Sequence, residues 1–142
     1  MPAKKAPAKK KPTTAKIVKL RPRKPKAART DGIAQFSLQK EMLQVLSRVS
    51  GNKSKRTAAS LVDEGPLRAF MIAMDEGATL EEESLDGNLT LQVLIGEIEV
   101  NVGRAKKRLH VGDLLVVDQG SAQGAKAVDP SVVLVTVAAG GD

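Results

Sequence analysis

The densest chemistry in this sequence lies in residues 1–30. Lys4, Lys5, Lys9, Lys10, Lys11, Lys16, Lys19, Arg21, Arg23, Lys24, Lys26 and Arg29 supply twelve cations there, with no acidic side chain among them. Such a run neutralises phosphates and releases their counterions, so the binding it gives weakens as salt rises. It contains no aromatic side chain to stack on a base, so any contact with nucleic acid is blind to sequence. Pro2-Ala3-Lys4-Lys5 recurs as Pro7-Ala8-Lys9-Lys10, and five of the seven prolines fall within the first 25 residues. Proline and like-charge repulsion oppose helix, and the apolar surface is too small to offset ordering entropy, so the segment is expected to be disordered when free. Nucleic acid or another polyanion is the expected partner. The alternatives are a solubilising or processed tail, a tail folded back on the rest of the chain, and an anionic membrane surface met by Ile17, Val18 and Leu20.

Elsewhere the chemistry is sparse. The whole chain of 142 residues carries 23 Lys plus Arg and 16 Asp plus Glu, a formal +7. With twelve of those cations in residues 1–30, the remaining 112 residues hold eleven cations and all 16 acids, a net −5. There is no Cys and one His, His110, which excludes a disulfide framework, a thiolate nucleophile and a multi-histidine metal site. His110 precedes Val111-Gly112-Asp113, and with no second His, Cys or nearby acidic cluster expected to orient it, it reads as a surface or turn residue, not a catalytic base. Arg104-Ala105-Lys106-Lys107-Arg108 admits two readings: an accessory phosphate-contacting loop, or a solvated hairpin whose charges discourage edge pairing. No Gly-rich phosphate loop opens a helix, and one histidine makes no Ser–His–Asp set. No apolar run approaches the roughly 20 residues of a membrane span, and no secretory signal is recognisable. A cytoplasmic location is expected, nucleoid-associated if the polyanion is DNA.

The elements that must position these side chains follow from periodicity. Leu38, Met42, Val45 and Val49 fall at i, i+4, i+7 and i+11, with Leu43 and Leu46 widening the stripe. The spacing predicts one amphipathic helix from Ser37 to Val49, with Ser37 as N-cap and Gly51 as the C-terminal stop. Residues 52–56 read as a solvated linker. After Thr57 the period becomes two, and strands are expected at 67–74, 89–95, 97–102, 114–117 and 132–137, separated by Gly-containing breaks. Short strands at this spacing with no second helix imply a closed antiparallel sandwich or barrel, since an antiparallel sheet must hide its edges.

Two groups of residues carry a family resemblance. Gly77, Glu83, Leu85, Leu89 and Gly96 have the spacing of the first motif of the cupin superfamily, Gly-x5-His-x-His-x3-Glu-x6-Gly. Gly112, Asp118, Gly120, Gln123 and Ala127 fall in frame with its second, Gly-x5-Pro-x-Gly-x2-His-x3-Asn. Residues 57–139 thus resemble a small bacterial single-domain cupin. The resemblance implies a jelly-roll barrel of a kind that commonly dimerises by sharing strands between barrels. Where the family places three His and one Glu on a metal, this chain has Glu83, Leu85, Leu89 and Gln123, so no metal cofactor is expected. In composition alone, residues 1–30 resemble the tails of linker histones and of some bacterial nucleoid proteins.

The expected fold is therefore all-β: a cupin-type antiparallel barrel over 57–142, preceded by a helix and linker over 31–56 and a disordered basic tail over 1–30. The expected function is a non-enzymatic, metal-free, homodimeric protein whose tail binds nucleic acid or another polyanion. Glu83 and Gln123 are the candidate pocket residues for the alternatives, a small-ligand-binding protein or a residual cupin enzyme. A protein-interaction or assembly component is the remaining reading.

Overall fold

The computed structural model describes residues 32–51, 53–84 and 86–139. The expected tail, residues 1–30, and Leu85 lie outside them.

Helix α1 (Leu38–Val49) begins where Ser37, in extended backbone, accepts a hydrogen bond on Oγ from the Lys40 N–H at 3.3 Å. Its stripe buries Val45 and Val49 against Ala59, Leu61, Met71, Ala73 and Val132. An isolated twelve-residue helix is marginal in water, so this contact holds it. The helix ends at Val49, with Gly51 directly after the C-cap, as expected, but the stop uses no left-handed glycine. The C-cap, Ser50, is right-handed, and no left-handed φ occurs at Gly51. The left-handed residue is Lys55 (φ 64°), which turns the chain into the first strand.

Nine strands follow: β1 (Arg56–Glu64), β2 (Leu67–Met74), β3 (Thr79–Ser84), β4 (Asn88–Ile95), β5 (Glu97–Val102), β6 (Ala105–His110), β7 (Leu114–Val117), β8 (Ala122–Ala127) and β9 (Ser131–Ala138). They form two antiparallel sheets, ordered β1-β2-β9-β4-β7 and β3-β8-β5-β6. The five expected strands are β2, β4, β5, β7 and β9, each within one residue at either end. The other four lack the alternating apolar signal: β1, β3 and β6 carry charged residues, and β8 reads Ala-Gln-Gly-Ala-Lys-Ala.

The sheets face each other across one apolar interior. Leu89, Leu91 and Val93 of β4, Ile98 and Val100 of β5, and Val133, Val135 and Val137 of β9 alternate inward and meet Phe70, Ile72 and Met74 of β2. A second, smaller cluster lies between α1 and the outer side of the five-stranded sheet.

The sheets are tied together where β4 ends and β9 begins. Fully buried Ser131 accepts on Oγ from the Glu97 N–H at 3.0 Å and donates to the Asp129 carbonyl at 2.7 Å. Gly96 makes this approach possible: φ is +86°, and a Cβ there would stand 2.2 Å from Ser131 Oγ and 2.3 Å from the Pro130 carbonyl oxygen. Gly96→Ala is predicted to destabilise the fold by about 2–4 kcal/mol in urea unfolding, because strain and steric overlap coincide. Ser37→Ala should lose only about 1 kcal/mol, the value of one N-cap.

Candidate functional site

Strands β3, β8 and β5 lie side by side in the four-stranded sheet. Their register sets position 83 opposite Gln123, and Gln123 opposite Val102. The two candidate pocket residues, far apart in sequence, are thus backbone neighbours. Gln123 shares its face of β8 with Ala125 and Ala127, which line the interior. It is half-buried, and its Oε1 is fully shielded with no hydrogen-bond partner. Asn101 Oδ1, on the next residue of β5 in register with Gly124, is in the same condition.

Gly124 went unremarked in the sequence yet shapes this corner. The β3 ladder shifts register between Leu80 and Glu83, and a Cβ at position 124 would stand 2.9 Å from the Leu80 carbonyl oxygen and 3.1 Å from the Glu82 nitrogen. The bulge closes over the space the missing side chain leaves. A Gly between Gln and Ala in a short strand was the only available signal.

Of the positions equivalent to the cupin metal ligands, Leu89 lies in the apolar core, 3% exposed, opposite Val117 and Val137. An aliphatic side chain there offers no lone pair and excludes water. A carboxylate at 83 and an amide at 123 do not make the three-ligand set that a catalytic transition metal needs, so these residues do not fit a metal. Among the described residues no group of three or more His, Cys, Asp or Glu side chains is placed to hold a metal ion.

His110 ends β6 with its side chain 64% exposed, Nε2 3.6 Å from Glu97 Oε2 and Nδ1 3.7 Å from Asp113 Oδ2. Its backbone N–H donates to Asp113 Oδ2 at 2.8 Å, which fixes the turn into β7. This is the surface turn histidine expected from sequence. The basic run 104–108 is neither a loop nor a single patch. Only Arg104 joins Gly103 in the two-residue turn between Val102 and Ala105, and the rest is edge strand β6. Arg108 donates to Glu97 Oε2 at 2.7 Å, and that hydrogen bond raises the guanidinium above its ordinary pKa. The register flanks Glu99 with Arg108 on one side and Lys126 on the other. The outer face of the four-stranded sheet is therefore a ladder of alternating charge, not a bare cationic surface.

No protein-family model and no curated protein matches the sequence. Solved structures do match the fold. A cupin superfamily protein from Desulfitobacterium hafniense aligns with TM-score 0.64 and 17% identity over 80% of this chain and 100% of its own. An RmlC-like cupin from Shewanella frigidimarina aligns with TM-score 0.58 and 24% identity over 61% of this chain and 78% of its own. A conserved protein of unknown function from Streptococcus pyogenes aligns with TM-score 0.60 and 20% identity over 64% of this chain and 80% of its own. At these identities what is shared is the fold, which is that of the cupin barrel.

The shielded Gln123 oxygen supports one prediction. Gln123→Leu is expected to leave stability unchanged or to raise it by up to about 1 kcal/mol, since it removes an unpaired acceptor at nearly constant volume. The midpoint of urea unfolding reads the difference; a loss above that size would mean that the amide is satisfied by a bound group.

Proposed function

We propose that this cupin-fold protein is a non-enzymatic binder of nucleic acid or a similar polyanion, acting through residues 1–30, with the barrel serving as a dimerisation module. The observation that carries the reading is the division of charge: twelve cations and no acid in residues 1–30, against a net −5 in the remainder. A segment that cationic binds phosphates by counterion release. Two such segments on one dimer would bind far more tightly than one, by effective concentration alone. The leucine at position 89 and the amide at 123 support a barrel that holds no metal. On β5, β6 and β8 two of the cations, Arg108 and Lys126, flank Glu99, which makes that face one of mixed sign and a weaker candidate for a second polyanion site than residues 1–30.

The Gln123 oxygen favours a second reading, a barrel that accepts one hydrogen bond from a small molecule at that position. Metal analysis of the purified protein separates the enzyme variant of that reading from the proposal: substoichiometric Fe, Mn, Ni and Zn are expected, and a full equivalent of any of them in the barrel would overturn the metal-free assignment.

The direct test is gel retention of duplex DNA by the full chain and by a chain lacking residues 1–30. At about 50 mM salt the full chain should retard DNA and the shortened chain should not. Equal retention by both would place the interaction on the barrel, and no retention by either would remove nucleic acid as the partner.

A further inference from the structure

The outer faces of the two sheets are opposite in character. On the four-stranded sheet, Glu97, Glu99, Arg108 and Lys126 alternate in sign. On the five-stranded sheet, α1 packs over β1 and β2. The other three strands, β9, β4 and β7, contain no charged residue anywhere along their lengths.

The register arranges their outward side chains in two rows. Leu134, Gln92 and Leu114 form one, and Thr136, Thr90 and Val116 the other. Leu114 is 57% exposed and Val116 61%. The apolar character is continuous with the cluster under α1, which Leu94 and Leu134 join from the side. An exposed sheet face with no charge at all is unusual, whereas depletion of charge is the compositional mark of an interface centre.

The strand edges repeat the contrast. β1 carries Arg56, Asp63 and Glu64, β3 carries Glu81, Glu82 and Glu83, and β6 carries Lys106, Lys107 and Arg108. β7, Leu-Leu-Val-Val, is the one edge strand among the described residues without a charge. Charged side chains are how sheet edges are kept from pairing, so β7 lacks the protection that the other three have.

We propose that the face formed by β9, β4 and β7 is where a second copy of this chain docks, in a two-fold dimer; the inference rests on the dimeric reading above and names its surface. Charge selects the occupant. A face without charge gains nothing from a polyanion, from an acidic or basic peptide, or from the cationic segment 1–30. A second copy brings the same uncharged rows, and a two-fold axis sets them against each other. Packing face to face is favoured over pairing of the β7 edges, because matching residues 114–117 with themselves antiparallel would set Asp113 opposite the partner's Asp118. Two strands of eight residues and one of four, about 4.8 Å apart, project a footprint of about 300 Å². Even with side-chain relief this is well below the roughly 800 Å² per partner of standard stable complexes. The dimer should therefore be weak and dissociate on dilution.

Sedimentation equilibrium of the full chain tests this, alongside the double variant Leu114→Lys/Val116→Lys and the control Lys126→Glu on the opposite sheet. Wild type and control should dimerise. The double variant should be monomeric at the same concentration, with an unchanged circular dichroism spectrum, because both positions are already more than half exposed. The chain has no cysteine, so Val116→Cys provides a readout independent of destabilisation: mild oxidation should give a covalent dimer that Lys126→Cys does not. A wild type that dimerises as strongly as the double variant, with equal cross-linking at both sites, would overturn this surface and leave the dimeric reading standing. A monomeric wild type at about 100 µM would overturn both. Loss of the dimer on removing residues 1–30 would make that segment the occupant and overturn the proposal.

Discussion

Everything in this molecule follows from closing two antiparallel sheets over one dry interior. An antiparallel sheet with one wet face must bury the other, and here the buried faces meet as Phe70, Ile72 and Met74 against Ile98, Val100 and Val137. Met74, Val100 and Val137 are wholly inaccessible. Leu89 belongs to the same cluster. A barrel with a ligand donor at that position would keep room for an ion and its water, whereas this one fills it with hydrocarbon. The interior around Leu89 is thus packed with hydrocarbon.

The strands whose inward residues are β-branched or leucine were legible, because burial of one face imposes period two on their sequence. β5 is the clearest case: Ile98 and Val100 point in, while Glu97 and Glu99 point out. β3, β6 and β8 were illegible for a physical reason. Glu81-Glu82 sits beside a bulge that breaks the alternation, Lys106-Lys107-Arg108 guards an edge, and β8 is shortened to small residues where β3 crosses it. The start of α1 was readable from Ser37, whose hydroxyl does the capping. Its end at Val49 was readable as well, although Gly51 past the cap does not adopt a left-handed φ.

The candidate site was legible in part. The motif spacing picked out positions 83 and 123, and the register makes them neighbours across β3 and β8. Gly124 and Asn101, paired across β8 and β5 on the opposite face from Gln123, carry no motif; only the close approach of chains in three dimensions reveals them. The charge ladder of Glu99 with Arg108 and Lys126 was equally hidden, since its members come from three strands. It changes how one member of the basic run is read: Arg108 pairs with Glu97 and lies opposite Glu99, whereas Lys106 and Lys107 lie opposite Asn101 and Val100.

Charge is therefore separated by location. Within the barrel, cations and carboxylates face each other on one outer surface and are absent from β4, β7 and β9 on the other, while the unbalanced cations are concentrated in residues 1–30. The polyanion binding proposed for residues 1–30 would be electrostatic, sequence-blind and independent of the barrel's chemistry. Fluorescence anisotropy of labelled duplexes with the full chain across a salt series measures it most directly. The account predicts a linear fall of log K with log salt, with a slope of about −0.9 for each phosphate contacted and identical for unrelated sequences. Affinity that ignores salt, or differs by more than about tenfold between sequences, would contradict it.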